Sequence, residues 1–404
     1  MKILLACEFY FPSRGGVQEV IRQVAEHLVR HRHDVTVVTS AMHERDFDEL
    51  NGVKIQSFDI SGNLVSGLRG DVDAYRQFVA TCGADVLMIK AVQQWSFDAL
   101  LGHLAELPMR KLVIPCGFAG ISKPEYAAYY RALPAQLRSF EKIITYGAEC
   151  RDTDILRQWN LPAPDIVANG ASETEFSSAN RDDARRLLGM ATDEFVFITV
   201  GTLTGIKGHQ EVARAFLQMK NGGQRRVTLI LNGNRPKIAI GGKQGRGLRG
   251  IAACAKQILL AASLQLYRWR ATLQPGKRIL IRDFPRRDLL NALCAANLFV
   301  FASRTEYSPL VLFEAAAAGT PFLSIPVGNA AEIARWTGAG KICPAVRDAH
   351  GFVHADVAQM SRHMAESMSA RDALAASGRK GRENWQQHFT WDVISARYEE
   401  LIGS

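Results

Sequence analysis

Two carboxylates carry the first chemistry that can be read from this chain. Glu306 and Glu314 stand eight positions apart within the run Ser303 to Thr320. The first falls in a polar loop after the apolar run Leu298 to Ala302, the second inside an Ala-rich stretch of helical character. That order spells strand, turn and helix start. A helix N-terminus offers unpaired backbone N–H groups and the positive end of the dipole, so an anion such as a diphosphate is stabilised there. Pro309 suits the first turn, where its missing N–H is no loss. The spacing puts Glu314 in the second turn, within reach of a hydroxyl-bearing group beside the helix, with Glu306 in the loop ahead of it. Ionised carboxylates are good acceptors for sugar hydroxyls. Two solvated surface acids would show the same spacing, so the elements around the pair must decide.

The 404 residues exceed what one hydrophobic core usually organises, and two domains are expected. Hydrophobic content of 47% with 22% charged residues fits a soluble globular protein and excludes a disordered or membrane-spanning one. The opening Met1 to Cys7 has one Lys and few apolar residues before Glu8, so it reads as a buried first strand rather than a signal peptide. No apolar run is long enough for an ordinary transmembrane helix. Seven scattered cysteines, none spaced Cys-x-x-Cys, fit a reducing cytoplasm without a zinc site or disulfide framework.

The elements alternate along the chain. Ile3 to Ala6 predicts a strand, Phe11 to Val17 a Gly-Gly turn, and Gln18 to Arg32 a helix with apolar residues at helical spacing. Strands follow at Asp34 to Ser40, Val53 to Ile55, Val86 to Ile89, Leu112 to Pro115 and Lys142 to Thr145. After Asn169-Gly170 the pattern begins afresh. A polar helix is expected over Thr174 to Leu188 and another over Gln210 to Met219. Strands are expected at Phe195 to Gly201, Val227 to Asn232, Ile279 to Ile281, Leu298 to Ala302 and Pro321 to Ile325. The fold class is therefore α/β, with two parallel sheets covered on both faces by helices. Open sheets of this kind bind ligands outside the carboxyl ends of their strands. The lining loops are then Phe11 to Val17, Gly201 to His209 and Ser303 to Glu314.

With those loops in place, the chain resembles the retaining family 4 glycosyltransferases of the two-domain GT-B fold, over nearly its whole length. Phe11 to Val17 resembles the family's N-terminal glycine loop, and Asn169-Gly170 with Phe176 resembles its hinge. Val200 to Leu203 with Lys207-Gly208-His209 resembles the donor-phosphate loop. Glu306 and Glu314 resemble the Glu-x7-Glu pair, and Phe389-Thr390-Trp391 the start of the closing helix. The resemblance implies two Rossmann-like domains facing each other across a cleft. They would comprise residues 1–172 on the acceptor side and 173–385 on the nucleotide-sugar side, with 386–404 a helix crossing back onto the first domain. It implies Lys207 and Glu306 as catalytic residues, Lys207 countering the donor diphosphate and Glu306 facing the donor sugar. Donor contacts would come from Gly15, Gly16, Gly201, Thr202, Lys207, Arg304, Ser308, Pro309, Leu310, Val311 and Glu314. The partners implied are a nucleotide-diphosphate sugar, UDP- or GDP-linked, and a hydroxyl of a glycan or lipid-linked acceptor in cell-envelope polysaccharide synthesis. No cofactor and no metal are implied; Asp71, Asp73, Asp152 and Asp154 spell Asp-x-Asp twice, in helical polar contexts.

Several positions depart from the family pattern. Thr202 stands where an Arg usually pairs with the Lys, which leaves Arg304 or Arg282 as replacements. Cys116-Gly117 stands where the first domain often presents His-Gly, and both are acceptor-side candidates, Cys116 as a buried small hydrophobe rather than a nucleophile. These departures keep open a catalytically inactive sugar-nucleotide binder, and an epimerase or phosphorylase on the same fold. The net charge of +9 is concentrated: Arg235 to Arg282 holds eleven Lys or Arg and no acid, while the remaining 38 bases against 40 acids leave −2. A helix over Ile251 to Arg270 with Tyr267 and Trp269 suits an anionic membrane surface or acceptor, or a solvated insertion, and such local basicity speaks against nucleic acid. The expected location is cytoplasmic, on the inner membrane face where the basic segment docks.

Overall fold

The computed structural model describes residues 1–13, 15–177, 180–220, 226–234 and 248–404, with side chains in the last stretch from residue 254. Arg14 of the glycine loop and Arg235, Lys237, Lys243 and Arg246 of the basic segment lie outside the described residues. The chain divides into two compact units, Met1–Asn169 with Phe389–Ser404, and Gly170–His388. The division falls after Asn169 rather than after residue 172 because Ala171 is tied into the second unit. Its carbonyl accepts from Trp385 Nε1 at 3.2 Å, and the Trp385 ring stands edge-on to Phe176. Residues up to His388 finish the helix Arg371–His388 of that same unit, so the return begins at Phe389 rather than at 386.

The first unit is built on an eight-stranded sheet. Its strands are β1 (Lys2–Ala6), β2 (Asp34–Ser40), β3 (Glu49–Leu50), β4 (Val53–Phe58), β5 (Val86–Lys90), β6 (Arg110–Ile114), β7 (Lys142–Thr145) and β8 (Asp165–Ile166). They lie in the order β8-β7-β6-β5-β1-β2-β4-β3. All neighbours run parallel except β3 with β4. Every residue of β5 is buried, as expected of a parallel strand covered on both faces. Helix α1 (Gly16–Arg30) buries Val20, Ile21, Val24, Ala25 and Leu28 at the predicted spacing. It stops before Arg32, which takes a left-handed φ of 67° and turns the chain into β2. Helix α2 (Arg151–Gln158) follows β7.

The second unit carries a six-stranded, wholly parallel sheet of β9 (Phe195–Val200), β10 (Val227–Asn232), β11 (Lys277–Arg282), β12 (Leu298–Phe301), β13 (Phe322–Ser324) and β14 (Gly340–Ile342). Its order is β11-β10-β9-β12-β13-β14, so the winding reverses between β9 and β12. In the first unit it reverses between β1 and β5. The helices that frame the second sheet's carboxyl edge are α3 (His209–Gln218), α4 (Leu248–Thr272), α5 (Arg286–Ala295) and α6 (Leu310–Ala317). The single helix expected over Thr174 to Leu188 is two, Glu173–Phe176 and Arg181–Leu187. The second begins where the Asn180 side chain accepts from the backbone N–H of Asp182 and Asp183.

The chain ends in α7 (Trp391–Gly403), capped by Thr390, whose hydroxyl accepts from Val393 N at 3.3 Å. This helix belongs to the first unit, where it packs on α1 and its Ile402 carbonyl accepts from Arg110 Nη1 at 2.7 Å.

Candidate active site

In the second unit the predicted residues meet at the carboxyl ends of β9 and β12, where an open sheet offers its crevice. The loop after β9 runs from Gly201 to Gly208. Gly208 has a φ of +76°, and a Cβ there would stand 2.1 Å from the Ala302 carbonyl oxygen. Only glycine lets the start of α3 press against the end of β12 in this way. Gly233 is equally confined, since a Cβ would meet the Gly201 oxygen at 1.9 Å. The two loops are stitched together where Arg304 N donates to the Ile206 carbonyl at 2.8 Å.

This frame holds Lys207 against Glu306, Nζ to Oε1 at 2.7 Å, with both side chains partly shielded. The Glu306 loop is braced from behind. Asn329 N donates to the Tyr307 carbonyl at 3.1 Å, and a Cβ on Gly328 would come within 2.5 Å of the same oxygen. Pro309 is the N-cap of α6 rather than its first helical residue, so the free N–H groups at the helix start belong to Leu310 and Val311. Glu314 sits in the second turn, as its spacing predicts.

Glu314 is not alone. Arg286, at the start of α5, reaches its Oε1 at 2.7 Å and forks onto Glu175 at 2.9 and 2.6 Å. Burial works against the Arg286 charge, and the Glu175 and Glu314 carboxylates outweigh it, raising the guanidinium above the ordinary arginine value. Sequence reasoning missed Arg286. The available signal was its place directly after Pro285, at a helix start facing the same strand edge.

The side chains of the two bases named as replacements for the donor-loop Arg that Thr202 displaces have other partners than Lys207's loop. The Arg304 guanidinium pairs with Glu211 at 2.5 Å, and exposed Arg282 donates to the Ile281 carbonyl at 3.1 Å. Buried His209 is driven toward its neutral form by desolvation, and its Nε2–H lies 3.1 Å from the Asn232 carbonyl. It ties α3 to β10. Thr202 and Ser308 lie in these same two loops, half-buried.

In the first unit Gly15 and Gly16 open α1. The carboxyl edge of that sheet is different in kind. Ala91, Gln93, Cys116 and Phe118, in the loops after β5 and β6, all take left-handed φ, between 42° and 75°. Such conformations are costly for residues other than glycine, and they persist where surroundings over-determine them. Here the surroundings are a buried polar network. Lys90 ends β5 at 1% exposure and donates to Tyr146 Oη, and Tyr146 also shares a hydrogen bond with Cys116. Burial pulls Lys90 down to about 8 and pushes the Cys116 thiol up. Asp152, expected in a polar helical context, is instead buried at the head of α2. Its Oδ2 accepts from Gly117 N at 2.8 Å, and burial raises its carboxyl to about 6.

Two open parallel sheets in one chain, each followed at its reversal point by a glycine-bearing loop and a helix, are the make-up of GT-B glycosyltransferases. The glycosyl transferases group 1 model matches residues 180–359, and the glycosyl transferase 4-like domain matches residues 15–167. This chain belongs to the family 4 glycosyltransferases and is an enzyme of that class. Among curated relatives, the phosphatidylinositol N-acetylglucosaminyltransferase GPI3 subunit of Saccharomyces cerevisiae is 20% identical over 354 residues, covering 82% of this chain and 69% of that one. Sucrose-phosphate synthase from Thermosynechococcus elongatus superposes with a TM-score of 0.75 at 18% identity, over 99% of this chain and 98% of the other. HepE of Anabaena, solved with UDP, superposes at 0.73 with 16% identity, over the full length of both. At such identities the two structures speak for the fold.

Proposed function

We propose that the chain moves a sugar from a nucleoside-diphosphate donor, UDP- or GDP-linked, to a hydroxyl of a glycan or lipid-linked acceptor, with retention of configuration. The observation that carries this reading is the Lys207–Glu306 pair at the reversal point of the second sheet, beside the start of α6. A diphosphate competes with Glu306 for Lys207 and takes the N–H groups of Leu310 and Val311, so leaving-group charge is met by a cation and a helix dipole. Glu306, freed of Lys207, turns to the sugar hydroxyls. Glu314 accepts the ribose hydroxyls, oriented by Arg286.

With donor bound, Glu306 is engaged by the sugar hydroxyls and Glu314 by Arg286 and the ribose, so neither carboxylate is offered to the anomeric carbon as a nucleophile. The reaction we infer is therefore front-face. The bond from the anomeric carbon to phosphate oxygen breaks, the bond to the acceptor oxygen forms on the same face, and the acceptor proton passes to the departing phosphate. No metal takes part in this scheme.

A thermal-shift screen against nucleoside diphosphates tests the donor reading, because a ligand of the native state raises Tm with its saturation. The expected result is a shift with one diphosphate that is lost in Lys207→Ala. No shift with any of them, and full transfer by Lys207→Ala and Glu314→Gln, would overturn it.

The acceptor side of the proposal draws on α4. Leu260, Leu264 and Ala271 bury one face of this helix, while Ile258, Leu259, Leu266 and Trp269 are exposed. At 3.6 residues per turn the exposed four share one sector of about 100°, opposite the buried three. The helix is thus apolar on two sides. Exposed Lys256 and Arg270 flank the outer stripe on one side and Arg268 on the other, the arrangement of a helix that lies in an anionic membrane interface. No helix among the described residues is long and apolar enough to cross a membrane. A relative named for phosphatidylinositol as its acceptor fits the same picture. We place the enzyme on the cytoplasmic membrane face, in cell-envelope polysaccharide synthesis. Flotation with anionic vesicles at low salt should carry the wild type and leave a Leu259→Glu, Trp269→Glu double variant behind; equal recovery of the two refutes the anchor.

A further inference from the structure

At the opposite edge of the first sheet three imidazoles converge on one carboxylate. His27 lies in the last turn of α1 and His31, its C-cap, follows four residues on, toward the same side, with His33 just before β2. From α7, Glu399 reaches all three. Its Oε2 stands 3.1 Å from His27 Nε2 and 2.6 Å from His31 Nδ1, and its Oε1 stands 3.0 Å from His33 Nε2. The ligand atoms of His27, His31 and Glu399 all lie within 4.8 Å of one another. We propose that this cluster is a structural site for a divalent late first-row transition metal, zinc foremost, that clasps the C-terminal helix α7 to α1.

The donor set fits the ion. Imidazole with one carboxylate is a zinc ligand set, and metal–ligand distances near 2.1 Å in a tetrahedron place ligand atoms about 3.3 Å apart. The two contacts at 2.6 and 3.1 Å fall just inside that separation, so the ligands open by a few tenths of an ångström around the ion, and rotation of the half-exposed His31 ring closes the remaining pair. His33, on the second carboxylate oxygen, is the available fourth ligand.

Two further features favour a cation here. The carbonyl end of α1 adds the negative pole of its dipole. His27 is 3% exposed, and its Nδ1 has no hydrogen-bond partner, with Asp392 Oδ1 standing off at 3.7 Å. Once Nε2 binds a metal, Nδ1 carries the ring proton and points it at that carboxylate, the supporting arrangement that metal-bound histidines usually have.

The topology makes the role structural. Helix α1 runs back from the glycine loop at the carboxyl end of β1 and delivers its last turn to the start of β2. The histidines therefore sit at the edge of the sheet away from the loops that hold Cys116 and Gln93. What the metal would secure is the return of the chain at α7, whose other ties to α1 on this side include the exposed Arg30–Asp392 pair at 2.6 Å.

The test uses the full chain without added affinity histidines, stripped with chelator and titrated calorimetrically with zinc chloride. Expected are one equivalent of zinc, a rise in Tm, and slower protease cleavage ahead of α7 in the loaded form. His31→Ala, a half-exposed position, and Glu399→Gln, which keeps the shape and removes the charge, should each weaken binding at least about tenfold. Cobalt should give the intense visible bands of four-coordination in the wild type and lose them in both variants. Zinc bound no more tightly by the wild type than by the two variants, or bound without the cobalt signature, would overturn the site. Should either variant fail to fold, the other still decides, since cobalt spectra of the wild type fix the coordination independently.

Discussion

The two sheets of this enzyme present their carboxyl edges in contrasting ways. In the second unit the edge is lined by ions in pairs, Lys207 with Glu306 and Arg286 with Glu314 and Glu175, all partly open to solvent. In the first unit it is lined by ionisable groups that burial has stripped of charge or shifted toward neutrality. Lys90 is drawn down, Cys116 pushed up and Asp152 pushed up, inside loops with four left-handed non-glycine residues. Under the proposed function, the difference matches what each half would recognise. A diphosphate is a fixed charge and needs exchangeable ions and free N–H groups. An acceptor hydroxyl is a matter of shape, and shape comes from loops locked by an interior network.

The largest effect should therefore come from an ion of the second unit. Lys207→Ala removes the only cation paired with Glu306 among the described residues, and kcat should fall at least about a hundredfold while the melting temperature moves little. Steady-state kinetics beside a thermal melt checks both halves of that statement. A large fall in Tm would show that the pair is structural instead.

Next comes the buried ammonium of the first unit. Lys90 has a folded value of about 8 against an ordinary 10.5. Below about pH 8 both folded and unfolded states hold the proton, and the cost of burying the charge is full, about 3 kcal/mol at 1.36 kcal/mol per pKa unit. As pH rises from 8 toward 10.5 the folded state is neutral while the unfolded chain still binds its proton, so the cost fades. Urea unfolding should thus show the wild type gaining about 2 kcal/mol on Lys90→Met between pH 8 and pH 10. A flat difference across that window would mean that Tyr146 solvates the ammonium better than burial penalises it.

A smaller loss is expected from Arg286→Met. Glu314 and Glu175 would then face each other without the cation, and donor affinity should drop about tenfold through a higher KM, since in the proposed reading this Arg orients a ribose contact rather than meeting leaving-group charge. A fall in kcat equal to that of Lys207→Ala would move Arg286 into the transition-state machinery.

How much of this was legible in the sequence follows the same divide. Long apolar runs such as Val227–Asn232 and Lys142–Thr145 gave strands to the residue, because a parallel strand buried on both faces has no alternative pattern to show. Local signals also placed Glu306 in a loop and Glu314 in the second helical turn. Arg286 stayed hidden because its role depends on a contact across more than a hundred residues to Glu175, which no local pattern encodes. The single helix read over Thr174 to Leu188 failed for a lesser reason. Helical polarity continues across the break, and only the Asn180 cap marks it. The network around Lys90 left no trace at all, since a Lys closing an apolar run looks like the solvated end of a strand. The outer apolar stripe of α4 went unremarked, because the basic residues that flank it dominate the segment's pattern.

The smallest effect belongs to Cys116, and it bears most directly on the contrast between the edges. Its thiol is held protonated by burial, in hydrogen-bond contact with Tyr146 and near Lys90, and its left-handed backbone is fixed by Asp152 accepting from the next residue's N–H. If that edge works by shape, replacing sulfur by oxygen changes little: Cys116→Ser keeps one hydroxyl-like donor in the same place. Transfer should stay within about twofold of the wild type and Tm should fall by a few degrees, since a weakly polar thiol gives way to a hydroxyl in a buried pocket. A bulkier Cys116→Val should do more harm than Cys116→Ser, because a β-branched residue resists the left-handed conformation as well as crowding Tyr146. If instead Cys116→Ser is as damaging to kcat as Lys207→Ala with Tm unchanged, the thiol takes part in the chemistry, and the first unit's edge supplies a reacting group rather than a mould.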